Sequence, residues 1–261
     1  MKKSGILVGK RAQVTIFIIL AIIIVVGIVT VYYLRTKPNV ETSPTKDPKG
    51  YIEQCIQQSI DKTLPQILAQ GGLINPDSRP ENSVLYQNKY VPFLCYAEEL
   101  ETICTQNTPL LKAKIEEQLQ KSSINDVENC FTTLRGEFGG YDYTESGLDY
   151  SINISPTELK VTAINNIKIS RDGDSQEFNL FSYQVSSPIF DFVILTNKIL
   201  NEEVGCNCGS DACRADVLAL SKANKDFEIT LFVGGNDVEI YTIKEVLTGQ
   251  EFKFSVRNCV N

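Results

Sequence analysis

The chain has 261 residues, of which 43 % are hydrophobic and 22 % charged, with a net charge of −7. That is enough apolar material to bury a core, and the acidity disfavours binding to nucleic acid through phosphate neutralisation. There is no histidine, which excludes Ser-His-Asp and Cys-His arrangements and removes the commonest general base and metal ligand.

The chain begins with Lys2, Lys3, Lys10 and Arg11 and no acid among them. Residues 14–34 then carry no charge over 21 positions. At about 1.5 Å per residue this run makes a helix of roughly 32 Å, enough to cross a hydrocarbon core of about 30 Å. The Lys/Arg bias predicts a cytoplasmic leader over residues 1–12, a transmembrane helix over 13–35 and everything later on the outer face. Tyr32 and Tyr33 then fall at the outer interface, where amphipathic rings are favoured. The run is too long for the apolar part of a cleaved secretory signal, and no small-x-small site follows it. A plain signal anchor and a prepilin-type signal both fit.

Lys10-Arg11-Ala12-Gln13 resembles the archaeal prepilin, or class III, signal. The resemblance implies a prepilin peptidase that cuts between Ala12 and Gln13 and leaves the helix on the mature protein. It also implies a type IV pilin-like surface protein able to associate with itself through that helix. The fifth mature position is Phe17, where many pilins carry a Glu that neutralises a neighbour's terminal amine. The whole layout is also similar to a group of uncharacterised archaeal membrane proteins. The matching features are Arg11 through Phe17, Tyr51 through Cys55, Gly71-Gly72 and Cys206-x-Cys208. That likeness implies no activity.

Residues 36–50 hold Pro38, Pro44 and Pro48 among polar residues and read as an extended linker. Residues 51–147 read as mainly helical. Ile52, Cys55, Ile56, Ser59, Ile60 and Thr63 recur at helical spacing, so a helix runs from 50 to about 64. Pro65 is expected to kink or restart it, and Gly71-Gly72 to stop it. The span 76–80 is loop, and 84–95 is apolar and aromatic enough for one or two short strands. A helix is expected over 110–120. A separate start follows at Asn125, where Glu128 completes a capping pattern ahead of Val127, Cys130, Phe131 and Leu134.

Residues 148–261 read as an α+β region. Tyr150, Ile152 and Ile154 alternate with polar residues, as do Leu159, Val161 and Ala163, and Ile167 and Ile169 follow. Residues 171–174 mark a turn and 178–185 a further strand. Residues 189–203 read as a helix too short and polar to span a bilayer. A second helix is expected over 210–223. Strands at 227–233, 238–246 and 251–257 with turns between them predict a small antiparallel sheet. The fold class is therefore α+β: one transmembrane helix, a proline-containing stalk and a disulfide-stabilised ectodomain.

All eight cysteines follow the membrane run, and an even number in an oxidising compartment favours disulfides. Proximity favours Cys95 with Cys104 and Cys208 with Cys213. Cys55 with Cys130 would tie two helices, each from an apolar face, and Cys206 with Cys259 would pin the C-terminus. The competing reading gives Cys206, Cys208, Cys213 and Cys259 to a metal, but zinc sites more often use C-x2-C spacing. Asn153-Ile154-Ser155 is a glycosylation sequon. Asp172, Asp174 and Glu177 form part of a calcium-loop pattern whose Gly and final Glu are misplaced, so they read as a solvated turn. Gly234-Gly235 reads as a hairpin turn, because no helix follows it to cradle phosphate. No cofactor and no enzyme signature is found. The partners expected are the lipid bilayer, a second copy of the helix and a prepilin peptidase. The expectation is a non-enzymatic surface protein, either a structural or adhesive pilin-like component or a monomeric tethered binding module.

Overall fold

The computed structural model describes residues 20, 22–26, 45–99, 101–205, 219–220, 225–235 and 237–258. The chain divides into two units, Met1–Glu41 and Thr42–Asn261. In the first, Leu20 and residues 22–26 are helical, and each of these six side chains is more than half exposed. Among the described residues no helix is long and apolar enough to cross a membrane. The expected span 13–35 lies mostly outside them.

In the second unit, helix α1 (Pro48–Leu68) starts on Asp47, whose side chain accepts from the Gly50 amide at 2.9 Å, with Pro48 in the first turn. Its apolar stripe buries Ile52, Ile56, Ile60, Leu64, Ile67 and Leu68. The helix continues through Pro65 without restarting. Pro65 and Asp61, whose carbonyl loses its amide partner, lie on the exposed side, while Leu64, Ile67 and Leu68 hold the last turn in the core. The stop comes where expected: Gly71 and Gly72 take φ of 62° and 90°, and the Gly72 amide returns to the Ile67 carbonyl at 2.9 Å.

Helix α2 (Leu111–Glu137) is one helix of 27 residues, not two. Asn125 therefore sits inside it rather than at a start. The serines before Asn125 do not break the helix, and each hydroxyl returns to a carbonyl one turn back: Ser122 to Gln118 and Ser123 to Leu119, both at 2.6 Å. Leu111, Ile115, Leu119, Val127, Phe131 and Leu134 make its buried stripe. A fully buried Leu or Ile contributes about 1.5–3 kcal/mol. An exposed pair such as Lys49–Glu53 contributes roughly 1 kcal/mol at most. The apolar stripes therefore dominate where the two helices pack.

Two sheets complete the unit. The first contains β1 (Ser83–Tyr86), β2 (Lys89–Tyr96), β3 (Thr105–Gln106), β8 (Phe227–Val233), β9 (Val238–Glu245) and β10 (Glu251–Arg257). Its order is β1-β2-β10-β9-β8, with β3 also on β2. The expected antiparallel meander β8-β9-β10 is present, but β2 joins β10 in parallel. Residues 51–147 thus supply strands as well as helices.

The second sheet contains β4 (Asp142–Glu145), β5 (Asp149–Ile154), β6 (Leu159–Arg171) and β7 (Asp174–Val185). The two expected alternations at 159–163 and 167–169 are one strand, β6. It carries a bulge at which Asn165 and Asn166 face the single residue Asn179. The β6–β7 turn has Asp172 and Gly173 at φ of 55° and 97°, the two-residue turn that matches strand twist. Helix α3 (Ile189–Gly205) follows β7.

Helices α1 and α2 also cover the edges of the second sheet. On β5, the Ile154 amide donates to Glu116 of α2 at 2.7 Å, and Gln120 donates to the Tyr150 carbonyl at 2.5 Å. On β7, the Ser182 amide donates to Glu53 of α1 at 3.2 Å. Backbone groups that would otherwise pair with another chain are satisfied by helix side chains.

Candidate functional site

The sequence-derived sites do not converge. Ala12, Gln13, Cys206, Cys208, Cys213 and Cys259 lie outside the described residues. So does most of the helix expected over 210–223, of which only Ala219 and Leu220 are described, both helical. Cys55 and Cys130 are bonded, with Cα atoms 6.3 Å apart, and join α1 to α2. Cys95 and Cys104 are bonded, with Cα atoms 5.3 Å apart, and fasten the end of β2 to the segment before β3. Asn153 is exposed on β5 with Lys160 of β6 as its register partner. Asp172, Asp174 and Glu177 are exposed at the tip of the β6–β7 hairpin. Among the described residues no group of three or more Cys, Asp or Glu side chains is placed to hold a metal.

A different set of residues is brought together on the first sheet. Asp77 organises the loop before β1: it accepts from Arg79 Nε at 2.7 Å, from Asn82 Nδ2 at 2.9 Å and from the Arg79 amide at 3.1 Å. Arg79, chiefly through its side chain and then its amide, holds the Asp77 carboxyl down at about 2. Beneath that loop Val91, Phe93, Val238 and Ile240 form a small second core. Tyr86 of β1 reaches across to Phe232 of β8, with ring centroids 5.1 Å apart.

Two adjoining cavities open here, of 410 and 550 Å³, both lined by Glu81, Phe93 and Tyr96. The smaller adds Asp77, Glu98 and Asn107, and the larger adds Leu85, Tyr90 and Arg257. Arg257 is the register partner of Tyr96 across the parallel β2–β10 pair. Its guanidinium lies 5.2 Å from the Tyr96 ring centroid, and Nη1 donates to the Tyr96 hydroxyl at 2.8 Å. The sequence marked the aromatic content of residues 84–95. It carried no signal that Arg257 joins them, because the link is a long-range parallel pairing.

A buried polar cluster sits on the other face of the sheet. Tyr241 donates toward Glu203 of α3 and lies 2.9 Å from Glu239. Asn258 donates to the Glu203 carbonyl at 2.7 Å and accepts from the Cys104 amide at 2.8 Å. Burial first, and then the two carboxylates, push the Tyr241 phenol far above its ordinary value. The phenol is thus held as a proton donor, and the cluster ties the end of α3 to the sheet.

Comparison with protein-family models, with curated proteins and with solved structures finds no match to this chain.

Proposed function

We propose that this chain is a non-enzymatic cell-surface protein, a pilin-like or pseudopilin-like structural or adhesive component anchored by its N-terminal helix. The observation that carries the reading is the uncharged run 14–34 behind four basic residues. In it Leu20 and residues 22–26 are helical and present apolar side chains outward. Such a surface needs lipid or a neighbouring helix as cover. The bonds Cys55–Cys130 and Cys95–Cys104 support an oxidising compartment for the rest. The partners are then the bilayer, a prepilin peptidase and further copies of the helix. Asn153, exposed on its strand, is the position for an N-linked glycan.

Intact-mass measurement of protein from its native host tests the processing. A mature N-terminus at Gln13 is expected, and an intact Met1 overturns it. Filaments that sediment from sheared cells are expected for an assembling pilin-like subunit. A monomer in detergent without filaments favours the second reading, a tethered binding module for an extracellular ligand. The paired cavities beside Tyr96 and Arg257 favour that reading too.

A further inference from the structure

We propose that the paired cavities on the first sheet form one groove that binds a neutral oligosaccharide. This deepens the surface-protein reading by naming a ligand class. Each cavity, at 410 and 550 Å³, falls inside the range of roughly 300–1,000 Å³ typical of small-ligand sites. They share Glu81, Phe93 and Tyr96, so they adjoin along these residues.

The lining has the mixed character a sugar needs. The aromatic side chain of Tyr90 offers a flat apolar face to ring C–H groups, while the Tyr96 ring is already packed against Arg257 and Phe93, each about 5.2 Å from it. Tyr90 is 38 % exposed and Leu85 60 %, so apolar surface stands open at the rim of the larger cavity. Glu81 and Glu98 offer acceptors to hydroxyl protons. Arg257 offers donors, and its partners among the described residues are the Tyr96 ring and hydroxyl and the Ala97 carbonyl.

Charge selects against the alternatives. The whole chain is acidic, so a polyanion is repelled. Asp77 and Glu81 are already engaged by Arg79, at 2.6 and 3.4 Å, which leaves little for a cation. The groove is also built in advance. The Asp77 network fixes its rim, and the core of Val91, Phe93, Val238 and Ile240 fixes its floor, so little ordering cost attends binding.

The test uses the full chain purified in detergent. Calorimetric titration compares neutral tetrasaccharides (maltotetraose, cellotetraose and mannotetraose) with a galacturonic acid tetramer and with tetralysine. Saturable binding of at least one neutral tetrasaccharide is expected, weakened at least tenfold in both Tyr90→Ala and Arg257→Gln. Tyr90 is partly exposed, so its variant keeps the question open even if Arg257→Gln unfolds. Absence of binding to all neutral probes at millimolar concentration overturns the proposal. So does preference for the acidic or the cationic probe, or neutral binding unchanged in Tyr90→Ala. The assay does not depend on processing or filaments, so its failure and an intact Met1 are separate results.

Discussion

At the scale of single residues, backbone conformation and local charge decide what can be changed. Gly72 sits at φ +90°, and a Cβ there would come within 2.8 Å of Ile115 Cγ1. Gly72→Ala is expected to cost roughly 1–3 kcal/mol in denaturant unfolding, through backbone strain and the clash with α2. Gly136, near the end of α2, has no neighbour within 4 Å of such a Cβ. Gly136→Ala is expected to stabilise by up to about 1 kcal/mol, since Ala loses less backbone freedom in a helix. Asp77 gives the pH dependence at this scale. Its folded value of about 2 lies below its ordinary 3.8. Its contribution is therefore complete above 3.8 and is lost as the pH falls through about 2. A carboxyl NMR titration is expected to place its midpoint near 2, and Asn82→Ala to move that midpoint upward.

At the scale of elements, the disulfides differ in what they close. Cys55–Cys130 spans 75 residues and Cys95–Cys104 spans 9. Removing the longer loop's closure releases more chain entropy in the unfolded state, with losses of roughly 2–4 kcal/mol typical. The double variant Cys55→Ala with Cys130→Ala is expected to lose more stability than Cys95→Ala with Cys104→Ala. Alanine is the better probe because Cys130 is buried and a serine hydroxyl would need a partner. Equal midpoints and slopes for the two in denaturant would contradict this ordering. The edges of the second sheet follow a related logic: Glu53, Glu116 and Gln120 close backbone groups that strand pairing leaves open.

At the scale of the whole molecule, the proposed topology makes a claim about access. With the Lys/Arg-rich leader inside and the unit Thr42–Asn261 outside, a protease added to intact cells is expected to degrade that unit and spare the leader. Full protection of the C-terminal half would reverse the orientation, and with it the case for a surface role. The same unit unites β2 with β10 and α2 with α1, so its early and late halves are expected to unfold together in a single transition.

Periodicity was enough for most elements. The stripe of Ile52, Ile56 and Ile60, the alternation from Tyr150 to Ile154 and the three closing strands all appear where the residues place them. So do the pairs Cys55–Cys130 and Cys95–Cys104. These signals are local, or rest on an apolar face that local spacing defines. Tertiary packing decided the rest. Helix α1 passes Pro65 because Leu64, Ile67 and Leu68 are held in the core, and α2 runs past Asn125 because Leu119, Ser123 and Val127 on either side of it are buried. The groove was not legible, because Arg257 meets Tyr96 only through a parallel pairing between distant strands, and no local pattern encodes which strands become neighbours.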